Sequence, residues 1–199
     1  MAPQDAAISE DNQPFYKLAG IDFRNLIWVF AVFAVLIWAI NAPNDWVLRY
    51  IHIVTGVLST GADIFLGFLV GPIIRRMSFE SRRQFSLYMM PKTLFIMNTL
   101  GVCAPTSGWF MAVQFGYLDL AYPAFWWVIA ALAVSAVLAV QGLGVLLPAN
   151  LCVYLEMRKP NPDVDKVARL MRRYFYVLAT QGLMQVCIVI IMVHFAARF

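Results

Sequence analysis

Residues 49–76 read RYIHIVTGVLSTGADIFLGFLVGPIIRR, an apolar run that opens on Arg49 and stops at the Arg75-Arg76 pair. At 1.5 Å of rise per helical residue, such a run spans a hydrocarbon core of about 30 Å. Its polar residues His52, Thr55, Ser59 and Asp63 recur at spacings of three and four, so one face of one helix carries them. A stripe of that kind inside hydrocarbon has to face protein, a cofactor or water. The run therefore reads as a transmembrane helix with an inward polar face.

The rest of the chain supports that reading. Of 199 residues, 62% are apolar and 13% charged, whereas a soluble domain carries roughly 25% charged residues. Such a chain lacks the polar surface to fold in water and is too apolar to be disordered. Five apolar stretches are expected to span, near residues 25–42, 49–74, 93–117, 123–155 and 174–197, giving an all-α membrane bundle of five transmembrane helices. Residues 1–24 form a polar tail whose Asp5, Glu10, Asp11 and Asp22 are the wrong charge for the start of a secretory signal. Residues 25–199 form a single transmembrane domain. The fourth stretch is long enough for Pro148 to split it or for its end to project past the membrane.

Charge fixes the orientation. Arg75, Arg76, Arg82, Arg83 and Lys92 fill the second connection, Arg158, Lys159, Lys166, Arg169, Arg172 and Arg173 fill the fourth, and Lys17 and Arg24 precede the first span. These thirteen of the fifteen Lys and Arg share one side, and only Arg49 and Arg198 fall on the other. The amino terminus is accordingly expected in the cytoplasm and the carboxyl terminus outside, in the inner (plasma) membrane. The net charge of +4 then reports orientation, and no nucleic-acid partner is expected. Trp38, Trp46, Tyr50, Tyr117, Tyr122, Trp126 and Trp127 crowd the expected outer interface as an aromatic belt. The turn at Lys159-Pro160-Asn161-Pro162 leads into a basic helix capped by Asn161 or Asp163, set against anionic headgroups.

Few groups carry chemistry. His52 lies 23 residues from Arg75 and His194 lies 21 from Arg173, so the two histidines differ in height by only roughly 3 Å. Two imidazoles at one level on different helices suit a bis-histidine b-type haem or a copper ion. The bland alternative is a pair of amphipathic tips reaching water at the interface. Asp63 is either a buried acid, protonated or paired with an amide, or a proton-handling group. Thr55 and Ser59 are expected to bond back to their own helix. Pro105, with Thr106 and Ser107 beside it, marks a kink in the third span, or a widened pocket beside the stripe. Gln141, Gln181 and Gln185 are expected to supply interhelical hydrogen bonds, and Gly67, Gly71, Gly142 and Gly144 close helix contacts. Met111 is a conceivable axial ligand, though methionine is mostly core filler. Cys103, Cys152 and Cys187 lie in apolar runs without metal or disulfide spacing and read as buried free thiols. No phosphate loop, HExxH motif or nucleophile elbow occurs, so no enzymatic reaction is assigned.

The helix from Ile51-His52 to Arg76, with Gly61-Ala62 and Pro72 in between, resembles the leading helix of copper-resistance D-type membrane proteins. Their relatives include HemJ-type protoporphyrinogen oxidases and the membrane part of some urate oxidases. The likeness continues through Ser81-Arg82-Arg83 into the third span, about a third of the chain. Where those relatives usually carry a tryptophan seven residues after the histidine this chain has Ser59, and Asp63 replaces an apolar residue. The resemblance implies a helical bundle with His52 on a haem- or copper-ligand helix. Three functions follow as expectations: a small redox protein passing electrons to a membrane partner through haem held by His52 and His194; an accessory subunit of a larger membrane complex; and a transporter of copper or a small solute with Asp63 as its proton-coupled acid.

Overall fold

The structure, a computed structural model, describes residues 20–198. Most of the expected polar tail lies outside these residues. The described chain is all-helical, with no strand among the described residues.

Helix α1 is Asn25–Asn41. Helix α2 runs as α-helix over Asp45–Ile64, widens to π-helix over Phe65–Val70 and returns to α-helix over Gly71–Arg76. Helix α3 is Phe79–Gln114. Helix α4 repeats the pattern of α2, with α-helix over Ala124–Ala139, π-helix over Val140–Leu146 and α-helix over Leu147–Met157. Helix α5 is Val164–Arg198. A 3₁₀ turn at Tyr117–Asp119 helps join α3 to α4.

The two π segments have one physical cause. Pro72 and Pro148 each follow a widened stretch, and a proline both lacks an N–H and crowds the carbonyl four residues before it. Widening the preceding turn relieves the crowding without ending the helix. Pro148 therefore does not split α4, and the chain passes through it to Met157. Helix α3 likewise runs unbroken through Pro91 and Pro105.

Three of the helices, Asp45–Arg76, Ala124–Met157 and Val164–Ala197, are long and apolar enough to cross a membrane. Helix α1, at 17 residues, is a shorter apolar helix. Helix α3 is long, but Asn98, Thr99 and the Pro105–Ser107 segment dilute its apolar run. The surface is apolar, as contact with a lipid bilayer requires: Phe68 is 81% exposed and Ile27 73%, with Trp38, Trp46, Tyr50, Tyr122 and Trp126 also outward. Tyr117 and Trp127, expected in the same belt, instead turn partly inward.

Helices α2, α3, α4 and α5 pack as a ring, each against the next, with α5 closing on α2. Helix α1 lies against α2 and α3. One core, built on Leu87, Val153, Tyr154, Met157 and Val167, holds the basic end. The other, built on Leu36, Leu48 and Cys103, holds the opposite end and takes Met111 into its packing. Met111 is thus core filler here. All three thiols are free; Cys103 is buried, whereas Cys187 is half-buried and Cys152 lies on an outward face and is exposed.

The basic connections do structural work as well as carrying charge. From the first turn of α3, Arg82 donates to the carbonyls of Ile74, Arg75 and Met77 at the end of α2. Its neighbour Arg83, buried, donates to Met157 at 2.9 Å and Lys159 at 2.5 Å at the end of α4. Two adjacent guanidinium groups thereby cap two helix C-termini, where unpaired carbonyls and the helix dipole favour a cation. Glu156 gathers Lys159 and Lys166 at 2.8 and 2.7 Å. Asp163 caps α5 by accepting from the Lys166 N–H, so the expected basic helix is the first part of α5 itself. Replacing Arg83 by Met is expected to lower unfolding stability in mild detergent by about 2–3 kcal/mol, since charged hydrogen bonds to buried carbonyls are lost. Exposed Lys92→Ala serves as the control and should leave it unchanged.

Candidate functional site

Two polar constellations lie inside the bundle, both on the stripe of α2. The first is built around His52. Its Nδ1 lies 3.0 Å from the Ala104 carbonyl and 3.1 Å from Ser107 Oγ, both on α3. A carbonyl only accepts, so the proton resides on Nδ1 and is donated. Ser107, fully buried, has a single hydroxyl proton, and this is directed at the carbonyls of Cys103 (2.7 Å) and Ala104 (3.0 Å). It too can only accept from His52. In the neutral ring the lone pair is then left on Nε2, which has no hydrogen-bond partner among the described residues. Such a donor bond from Nδ1 is the arrangement that orients a ligating histidine.

Gly108 makes room for the ring. A Cβ at this position would sit 2.8 Å from His52 Cε1, so no other residue fits without displacing the imidazole. Thr55, next on the stripe, bonds back to the carbonyls of Ile51 and His52, as its position led us to expect. The signal for Ser107 and Gly108 was present in the sequence as a small-residue patch after Pro105, but its partner on α2 was not.

The second constellation is buried deeper. Asp63, only 6% exposed, accepts through Oδ2 from Gln181 Nε2 at 2.7 Å and from Gln185 Nε2 at 2.5 Å, both on α5. The Oε1 atoms of both glutamines are buried without a partner. Gln141, in the π segment of α4, donates to Thr180 on α5 and has an unpartnered Oε1 of its own. The glutamines do make the expected interhelical bonds, and two of them converge on Asp63.

These bonds also set the register of α2 against α5. The two helices are antiparallel: Asp63 meets Gln181 and Gln185, Gly67 meets Leu178, and Gly71 meets Phe175. His52 lies eleven residues from Asp63, while His194 lies nine from Gln185 and thirteen from Gln181, in the same spatial direction. The histidines therefore stand at one level, about 16 Å from the acid. They do not touch. His52 leans on α3, whereas His194 stacks on Trp127 of α4 with ring centroids 3.9 Å apart and planes 18° apart.

No group of three or more His, Cys, Asp or Glu side chains converges among the described residues. A porphyrin brings four nitrogens of its own, so His52 and His194 are the residues that would hold one.

With two histidines in the chain, ¹⁵N-imidazole spectra contain two spin systems. His52 is expected as the Nδ1–H tautomer, and Gly108→Ala should abolish that signature by forcing the ring off Ala104 and Ser107. An unchanged His52 tautomer in this variant would contradict the geometry. Comparison with protein-family models, with curated proteins and with solved structures finds no match for this chain.

Proposed function

We propose that the chain is a small redox protein of the cell's plasma membrane, crossing it five times, with the basic connections cytoplasmic. On this reading His52 and His194 hold a b-type haem near the opposite, outer face. The single observation that carries the proposal is the fixed imidazole of His52, whose Nδ1–H is bound to Ala104 and Ser107 while Nε2 is left as a free ligand. The common level of His194 supports it.

Each residue then has a defined task. The Ala104 carbonyl and Ser107 hydroxyl hold the ring orientation and raise the basicity of Nε2. Gly108 admits the ring, and Trp127 stacks on His194 to fix its plane. Haem supplies reversible one-electron exchange when bound. The Arg and Lys of residues 75–83 and 158–173 stay together at one end of the bundle, as a cytoplasmic face requires.

A second reading, an accessory subunit of a larger membrane complex, has its own support. The connections between the described helices are short and the outward faces are apolar, so a partner would meet this chain mainly through helix faces.

The purified protein, supplied with haem, is expected to show a Soret band that is lost in His52→Ala. Ser107→Ala should retain the band but weaken haem affinity about 10- to 100-fold, the usual effect of removing a ligand's supporting partner. A wild-type protein that takes up no haem, or a band indifferent to His52→Ala, would overturn the assignment.

A further inference from the structure

The Asp63 site is not used by the redox reading and does not depend on it. Among the described residues, the ion pairs are Lys159–Glu156 and Lys166–Glu156, and neither reaches Asp63. The carboxyl group therefore sits in the bundle interior with two amides and no counter-ion. Its Oδ1 makes no hydrogen bond to the described residues. Around it, α5 presents the neutral Gln181 and Gln185, together with Tyr174, the titratable neighbour with which it interacts electrostatically. The polar groups that α3 and α4 place on the adjoining cavity, Ser86, Thr93 and Asn150, are also uncharged, as is Gln141 of α4, which bonds to Thr180 next to Gln181.

Next to this site lies a cavity of about 60 Å³ between α2, α3, α4 and α5. Its lining is mainly apolar, with Ser86, Thr93, Asn150 and Tyr174 as the polar residues on it. At its inner end are Leu66 and Leu178, three residues from Asp63 and Gln181, which is about one helical turn or 4.5 Å. At its other end it reaches Ile74 and Phe85, next to the basic connections. At about 60 Å³ the cavity has room for water beside the four polar side chains, and such water would relay protons.

The geometry points to a proton-binding site formed by Asp63, Gln181 and Gln185, loaded through this cavity from the end of the bundle that carries the basic connections. In the state described above, the carboxylate accepts both amide N–H groups. On loading, a hydronium ion from the aqueous phase transfers its proton to an Asp63 oxygen and leaves as water, and the carboxyl becomes neutral. Its new O–H needs an acceptor, and a half-turn of either glutamine amide brings an orphaned Oε1 into place. The same three side chains thus have partners for both protonation states. That explains why two buried amide oxygens are left unpaired beside an acid, an arrangement that is otherwise simply costly.

The test is the carboxyl C=O infrared band of the protein in vesicles, with and without ¹³C-carboxyl-labelled aspartate. A protonated-Asp band is expected that shifts with the label, is absent from Asp63→Asn, and is lost as the pH is raised. A pH step on the side of the basic connections should change the band, and a step on the other side should not. Gln181→Leu combined with Gln185→Leu is expected to displace the band frequency, because the hydrogen-bond partners are gone. The labelled wild-type protein gives the assignment even if Asp63→Asn does not fold. A band that never changes with pH, one that responds only from the opposite side, or one abolished by sodium ions at fixed pH would overturn the proposal, the last by making the site a cation site.

Discussion

The bond from Gln181 and Gln185 to Asp63 is the contact on which the rest of the architecture depends. It joins the second helix to the last across 118 and 122 residues of chain and closes the four-helix ring. In lipid, helix faces attract one another weakly, and a polar contact that has no water to fall back on decides which residues are neighbours. Gly67 against Leu178 and Gly71 against Phe175 extend that seam toward the basic end. Carried the other way, the same register brings His52 and His194 to one level. A slip of one helical turn, about 5.4 Å, would separate the two imidazoles in height and leave Asp63 without its amides.

Proline and glycine shape this seam in complementary ways. Pro72 and Pro148 each lie just beyond a π-helical stretch; Phe65–Val70 begins two residues after Asp63, and Val140–Leu146 contains Gln141, so both stretches lie at the polar layer of Asp63, Gln141, Thr180 and Gln181. A widened turn re-aims the side chains before it without costing the helix its continuity. Gly108 acts by subtraction, removing the one atom that would collide with His52. At the basic end, Arg82 and Arg83 satisfy carbonyls that α2 and α4 would otherwise leave bare. The charge asymmetry that orients such a chain in a membrane is in part the same set of atoms that caps its helices.

Much of this was legible in the amino-acid order because it depends on local periodicity. The stripe His52, Thr55, Ser59 and Asp63 follows from helical spacing, and Thr55 and Asp63 are buried as an inward face demands. The five helical stretches follow from runs of apolar residues, although the polarity of α3 and the brevity of α1 leave three that meet the length and apolarity of a membrane span. Pairing between helices was much less legible. Nothing near Asp63 in the sequence names Gln181 and Gln185, and nothing near His52 names Ala104 and Ser107, since those contacts arise only when whole helices dock. The continuity of α4 through Pro148 also escaped a local reading, because widening and breaking are alternative responses to one residue, and neighbouring helices decide between them.

The proposed holding of one haem by His52 and His194 together is tested most directly by electron paramagnetic resonance of the ferric, haem-loaded protein. A low-spin signal of two imidazole ligands is expected in the wild type, converting to high spin when either His52→Ala or His194→Ala is introduced alone. A high-spin wild type, or a low-spin signal that survives His194→Ala, would contradict it.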